Sequence, residues 1–225
     1  LLGCCLFLSI GMLWAADEPD LRMLQQKAAQ SRDMEGYVGV CKYLYQTEEN
    51  PELLLLYADS IHQLATKSKK PEQLVEYYIW ASEGNFIKGD FQQGYALKRK
   101  AIALAEKAGL KFAISQSCCD MGYYCNVDAR YDSARYYFRK GLEAGEDLSE
   151  AGEACRTMLT NYASSFLFEG KTDSALVYTI RASERSAADK DTAMLIENLN
   201  QLGTIYRRKK NLENCIANFE QALHL

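Results

Sequence analysis

Apolar and polar residues follow one another along this chain with the period of an α-helix, in amphipathic segments separated by short polar breaks. In residues 199–225 a first segment places Leu199 and Tyr206 on one apolar stripe, and a second segment places Cys215 and Phe219 on another. This pattern predicts a helical hairpin. A single hairpin exposes more apolar surface than it can bury, so we expect the same pattern to recur.

The hairpin pattern recurs at a spacing of about 40 residues. Gly203 is followed by an aromatic residue at +3, a small one at +12, a large one at +16 and a small one at +19. Ala163 and Gly122 begin similar copies, and Ser82 begins a weaker one. Self-similarity at such a period indicates a solenoid. The predicted repeats are residues 71–109, 110–146, 147–189 and 190–225, preceded by degenerate or capping helices in residues 17–70.

These residue types at these offsets resemble the tetratricopeptide (TPR) repeat. The chain differs from the usual TPR pattern in its period, which is longer than 34 residues, and in lacking the proline that closes each repeat. The extra residues suit longer helices, such as one over residues 192–206. The resemblance implies an all-α fold, a right-handed α-solenoid of antiparallel helix pairs that forms a TPR-like superhelix.

The resemblance also implies a binding surface, because the first helices of successive TPR pairs line a concave groove. Groove-facing positions lie at −3, +1 and +4 from the small residue of each repeat. Besides the apolar Ile79 and Leu167, they select ten candidate partner-binding residues: Glu83, Phe86, Cys119, Tyr123, Asn126, Thr160, Ser164, Asn200, Thr204 and Arg207. The Lys and Asn pattern of TPR proteins that clamp a C-terminal carboxylate is missing at these offsets. We therefore expect a mixed polar and aromatic groove for a protein or peptide segment.

Composition supports a helical protein that does not bind nucleic acid. The 225 residues are 48% apolar and 25% charged, with a net charge of −4. An acidic chain is a poor match for a phosphate backbone. The densest basic run, residues 207–210, lies where cations complement the carbonyl groups at a helix C-terminus. Residues 53–56 are four consecutive leucines, which are apolar on every side of a helix and are expected to be deeply covered.

The chain carries no recognisable catalytic, cofactor or metal motif. It has no Gly-rich phosphate loop, no G-x-S-x-G and no H-E-x-x-H. Four of its eight cysteines fall on repeat core positions: Cys41, Cys118, Cys125 and Cys215. Cys119 is expected on the inner surface, and His62 and His224 are remote from the cysteines. We therefore predict no enzyme activity, no cofactor and no metal site.

Residues 1–16 are uncharged and largely apolar, and they end abruptly at an acidic stretch. This pattern indicates the apolar region and cleavage zone of a secretory signal peptide, with its basic region upstream. A signal anchor extended upstream is the alternative, since the segment is shorter than the ~20 residues of a span. We expect an exported protein, in the periplasm or on the extracytoplasmic face of a bacterial membrane. Membrane contact is expected only through this segment or through a downstream span outside the chain.

The leader followed by long-period repeats is similar to the sensor or scaffold region of exported or membrane-bound bacterial signalling proteins, of the histidine kinase or transcriptional regulator type. The alternative is a free periplasmic or cell-surface adaptor, and an enzyme is the third class. The sequence begins without Met and ends within an amphipathic helix. We therefore predict that it is an interior piece of a longer protein, followed by further helices.

Overall fold

The computed structural model of the chain describes residues 21–47 and 50–225. The predicted leader, residues 1–16, lies outside the described residues. Within the described ranges the regular structure is helical, with no strand. The helices are α1 (Leu21–Ser31), α2 (Met34–Thr47), α3 (Pro51–Ser68), α4 (Pro71–Lys88), α5 (Phe91–Ala108), α6 (Lys111–Val127), α7 (Tyr131–Gly145), α8 (Gly152–Phe168), α9 (Thr172–Ala188), α10 (Thr192–Arg208) and α11 (Leu212–Leu223), with a 3₁₀ turn at Ser149–Ala151 before α8.

Local sequence explains where several helices begin. Pro51 occupies the first turn of α3, where its missing N–H costs nothing, and the side chain of Asn50 accepts a hydrogen bond from the Leu53 amide at 2.9 Å. Asp191 caps α10 in the same way, accepting from the Met194 amide at 3.0 Å. These capping residues fix the positions at which α3 and α10 begin.

The chain divides into two compact units, and the boundary falls within α6, between residues 117 and 118. In the unit that contains residues 21–117, each helix from α1 to α5 packs against the next. Its core is made of small and branched apolar residues: Ala28, Val40, Leu44, Leu54, Ala58, Ile61, Val75, Leu97, Ala101 and Ala105. Leu54 is fully buried, but Leu56 is 62% exposed. The expectation that all of residues 53–56 are deeply covered was therefore wrong.

In the unit that contains residues 118–225, helices α7 to α11 also pack each against the next. The small residue of a first helix lies beneath an aromatic ring of the second helix. Phe138 lies over Gly122 in this way, and Phe219 lies over Gly203. The short turns and sequential packing make the neighbouring helices antiparallel. The prediction of an all-α stack of helix pairs is confirmed.

Among the helices of residues 21–47 and 50–225, none is both long enough and apolar enough to cross a membrane.

Candidate functional site

Helices α8 and α10 are joined by a buried set of neutral polar side chains. Thr160 Oγ1 donates a hydrogen bond to Asn198 Oδ1 at 2.9 Å, and Asn198 Nδ2 donates to Ser186 Oγ at 3.1 Å. All three residues are buried. Because an unpaired buried polar group is costly, these bonds hold α8, α9 and α10 in a single register.

A second set of hydrogen bonds joins the same helices nearer the surface. Gln201 Nε2 donates to Ser164 Oγ at 2.6 Å, and Ser164 Oγ donates to the Thr160 carbonyl at 3.0 Å. Thr179 Oγ1 lies 3.0 Å from Gln201 Oε1 and donates to it. The Gln201 amide therefore links α10 to both helices of the preceding pair.

Further bonds between first helices lie towards their C-terminal ends. Asn126 Nδ2, on α6, donates to the Asn161 carbonyl of α8 at 3.0 Å. Arg208, on α10, donates from its guanidinium to the Leu167 carbonyl of α8 at 2.9 Å. Residues 118–127 of α6, together with α8 and α10, therefore lie side by side in direct contact.

The structure places the ten predicted groove residues in two groups. Five are buried: Glu83, Phe86, Cys119, Asn126 and Thr160. Glu83 forms a buried ion pair with Lys98, and the ring of Phe86 lies over Gly94. Asn126 and Thr160 make the bonds between helices described above. In the structure these five side chains therefore contribute to packing and do not line an open surface.

The other five predicted residues are accessible, and all of them belong to the unit that contains residues 118–225. Asn200 and Arg207 are exposed, while Tyr123, Ser164 and Thr204 are half-buried. The last three occupy the same repeat position, one residue after the small residue, on α6, α8 and α10. We call these five residues the inner row.

The chemistry of the inner row suits recognition of a polypeptide. It presents two hydroxyl groups, one amide, one phenol and one guanidinium. No carboxylate lies within ion-pair distance of Arg207 among the described residues. This guanidinium can therefore receive a carboxylate of a ligand. The described residues contain no group of three or more His, Cys, Asp or Glu side chains placed to hold a metal ion.

One titratable residue near the inner row was missed by the sequence analysis. Glu197 lies one turn before Asn200 on α10, and burial raises the pKa of its carboxyl above the usual 4.5. The offsets −3, +1 and +4 do not include it. Its spacing of three residues from Asn200, which puts both on one helix face, is the signal that could have found it.

An aromatic stack joins α7, α8 and α9 elsewhere in the same unit. The rings of Phe166 and Tyr178 are parallel, with centroids 5.3 Å apart, and Arg135 lies over Phe166 at 4.6 Å. Tyr162 packs edge-on against Tyr178 at 4.7 Å. Burial and the neighbouring Tyr178 raise the pKa of the Tyr162 hydroxyl. These contacts stabilise the packing of successive pairs and lie apart from the inner row.

Two shallow cavities lie outside the inner row. One, of about 410 Å³, contains Arg156 and Arg185 in the unit of residues 118–225. Both arginines are bonded to Asp189, at 3.0 and 2.8 Å. The other, of about 420 Å³, lies in the unit of residues 21–117 and is lined partly by Leu74 and Tyr78.

Comparison with known proteins identifies the fold. No protein-family model and no curated protein matches the sequence. Among solved structures, BtubC (BKLC) from P. vanneervenii is similar over 91% of this chain and 85% of its own length, with a TM-score of 0.72 and 14% identity. The apo form of RapI matches 90% of this chain with a TM-score of 0.68 and 10% identity, and the match covers 58% of RapI.

A third solved structure, YrrB, is described as a TPR protein with an unusual peptide-binding site. It matches 91% of this chain and 93% of its own length, with a TM-score of 0.52 and 16% identity. At these low identities the likeness shows the fold alone. The chain has a TPR-like helical fold, as the sequence pattern predicted.

Proposed function

We propose that this chain is a protein-binding repeat module, without catalytic activity of its own, that holds an extended peptide segment across the inner row. The observation that carries the proposal is the repeated accessible position on three adjacent first helices, occupied by Tyr123, Ser164 and Thr204. Direct hydrogen bonds fix the three helices side by side, so the row is formed before any ligand arrives. A preformed surface lowers the ordering cost of binding.

Each part of the inner row has a distinct role in this proposal. Tyr123 supplies a large apolar surface with a polar tip, of the kind that often dominates the energy of an interface. Thr204 and Asn200 offer hydrogen bonds to a peptide backbone, and the Ser164 oxygen, whose proton already goes to the Thr160 carbonyl, can accept one more. Arg207 receives an acidic side chain of the peptide, since a charge-assisted pair is stronger than a neutral hydrogen bond.

The length of the peptide follows from helix geometry. Neighbouring helices lie about 8–10 Å apart, so three first helices span about 20 Å. An extended chain covers ~3.3 Å per residue, and about six or seven residues therefore cross the row. The peptide-binding site named for YrrB supports a polypeptide ligand, because that protein shares the fold.

We further propose that the module is the sensor or scaffold region of an exported or membrane-bound bacterial signalling protein. The uncharged leader in residues 1–16, followed by helical repeats, supports this role. A free periplasmic or cell-surface adaptor is the alternative. The parent gene distinguishes them, because a signalling protein also encodes a membrane span and a kinase or DNA-binding domain.

The binding proposal is tested by selecting ligands from a library of random peptides about ten residues long, and then measuring affinity by calorimetry. Tyr123→Ala and Arg207→Ala should each weaken binding of the selected peptide by about ten-fold, the effect typical of a central interface residue. Both residues are accessible, so the melting temperature should change little.

The matched control is Glu184→Ala, an exposed residue of α9 that lies outside the inner row. It should leave the affinity within about two-fold, as a surface substitution does. Selected peptides whose binding is insensitive to both Tyr123→Ala and Arg207→Ala would contradict the proposal.

A further inference from the structure

Three turns in the unit of residues 118–225 share one backbone conformation. Each joins the first helix of a pair to the second, and each contains a central residue with positive φ: 56° at Ala129, 82° at Gly170 and 58° at Lys210. The next residue in each turn donates its amide to the carbonyl five positions earlier, at 2.8, 2.8 and 3.0 Å. Side chains at equivalent positions of the three turns therefore leave the backbone in equivalent directions.

The three turns lie in contact along one edge of the stack. The rings of Tyr131 and Phe168 have centroids 6.2 Å apart, which joins the first turn to the second. Arg208 donates to the Leu167 carbonyl at 2.9 Å, and Lys209 pairs with Asp173, which joins the third turn to the second. We call the residues of these turns, 127–131, 168–173 and 207–212, the elbow edge.

Large apolar side chains project from the elbow edge into water. Val127 is 60% exposed, Phe168 is 55% exposed and Leu212 is 66% exposed. These three residues end or begin the helices that flank the turns, and surface segments in and beside turns are usually small or polar. One exposed apolar side chain needs no explanation, but one on each of three adjoining turns marks a surface that contacts an apolar partner.

The elbow edge is also positively charged, although the chain as a whole is acidic. Its three central carboxylates already face basic side chains: Asp128 faces Arg130, Glu169 faces Lys171, and Asp173 faces Lys209. The excess charge comes from Arg207, Arg208 and Lys210, which cluster at the third turn. The partner should therefore be negatively charged as well as apolar.

We propose that the elbow edge docks on the surface of a bilayer that contains anionic phospholipids. A bilayer presents a flat surface that can meet three adjoining turns together, and the exposed apolar side chains and the excess cations of the edge match its two layers. The apolar tips would enter the boundary between headgroups and acyl chains, and the cations would meet lipid phosphates. The sequence predicts membrane contact only through a leader or a downstream span, so this surface is an additional one.

Vesicle binding of the full chain tests the proposal. Vesicles of phosphatidylcholine with about one-third phosphatidylglycerol should bind more of the protein than phosphatidylcholine alone, because each cation near an anionic surface favours binding. The uncharged segment of residues 1–16 is the same in every variant, so differences between variants report on the elbow edge.

Two variants test the two components of the surface. The triple variant Val127→Ser, Phe168→Ser, Leu212→Ser removes the apolar tips and should weaken partitioning by at least about thirty-fold, given the free energy of burying each CH₂ group. Lys210→Gln removes one unpaired cation and should weaken it about five-fold on anionic vesicles only. All four side chains are exposed, so unchanged circular dichroism and melting show that folding is intact.

Matched controls come from the same unit. Val177, on α9, is a similarly exposed apolar residue outside the edge, and Lys190 has the same backbone conformation in a turn between pairs. Val177→Ser and Lys190→Gln should leave vesicle binding within about two-fold. The triple variant should still bind the peptides selected on the inner row, so the two proposals fail independently.

A depth measurement gives a second readout. A tryptophan introduced by Leu212→Trp should be quenched by brominated lipids, and one introduced by Val177→Trp should not. Equal binding of wild type and triple variant to anionic vesicles would overturn the proposal. The proposal would also be overturned if the protein bound no vesicles but bound a polyglutamate peptide through the same three apolar residues. The elbow edge would then be a site for an acidic protein segment.

Discussion

Replacement of Gly122 by alanine tests the packing of the repeat most sharply. A Cβ atom at this position would lie 2.8 Å from Cζ of Phe138 and closer still to two other atoms of the ring. Phe138 is fully buried, so its ring has no open space to enter. Overpacking of this kind costs about 1–3 kcal/mol, and the short contact places the cost near the upper end. Alanine regains about 1 kcal/mol of helix propensity.

The net effect of Gly122→Ala should therefore be a loss of about 2 kcal/mol of unfolding free energy. For a chain of this size the melting temperature should fall by about 4–8 °C. Urea denaturation followed by circular dichroism measures the first quantity, and a thermal scan measures the second. Adding Phe138→Leu to the variant should recover part of the loss, because the smaller side chain makes room for the new methyl group.

Gly203→Ala is the matched comparison, because its new Cβ atom would also meet an aromatic ring, but one that is partly exposed. A Cβ there would lie 2.7 Å from Cζ of Phe219, which is partly exposed and can rotate outward. The smaller clash and the gain in helix propensity should nearly cancel, leaving stability within about 0.5 kcal/mol. If Gly122→Ala proved as stable as the wild type, the close packing of Phe138 on α6 would be refuted.

Two further predictions concern charged groups that are shielded from water, the Lys98–Glu83 pair and Glu197. Lys98→Met should destabilise the fold by about 3–5 kcal/mol, because it leaves Glu83 buried without its partner. Adding Glu83→Leu should restore most of that loss. If urea denaturation showed Lys98→Met to be as stable as the wild type, the buried ion pair would be contradicted. Burial raises the pKa of Glu197 in the folded state, so the folded protein keeps a proton at pH values where the unfolded chain has lost it. The contribution of Glu197 to stability therefore falls as pH rises from about 4.5 through the folded pKa. Glu197→Gln should therefore be more stable than wild type at neutral pH and equal to it below pH ~4, whereas a constant difference across the pH range would exclude this titration.

The repeat period predicted the helix pairs well because packing imposes strict demands at a few positions. A small residue such as Gly203 is needed wherever a ring from the second helix lies over the first, and this requirement is visible in the sequence. Exposure around a helix is harder to predict. Leu56 is exposed because a helix in a stack packs mainly against its two neighbours, so a run of four leucines cannot be buried on all sides.

The candidate site was predicted less completely, and the reason lies in polar residues. On a first helix, Thr160 and Asn126 have the composition of a groove, yet both are buried and bond to neighbouring helices. Sequence alone does not distinguish a polar side chain that faces a ligand from one that satisfies a partner inside the stack. Glu83 is a charged example of the same kind, because its partner Lys98 lies on the next helix and the pairing became evident only from the fold.

The central claim, that a peptide lies across the inner row, is tested most directly by photo-crosslinking. A selected peptide that carries a photoreactive residue at its centre is bound to the full chain, irradiated, and its adducts are mapped by mass spectrometry. We predict adducts on α8 and α10, near Ser164 and Thr204, which disappear when unlabelled peptide competes. Adducts confined to α7 and α9, near Arg139 or Glu184, would place the peptide on the second helices and contradict the account.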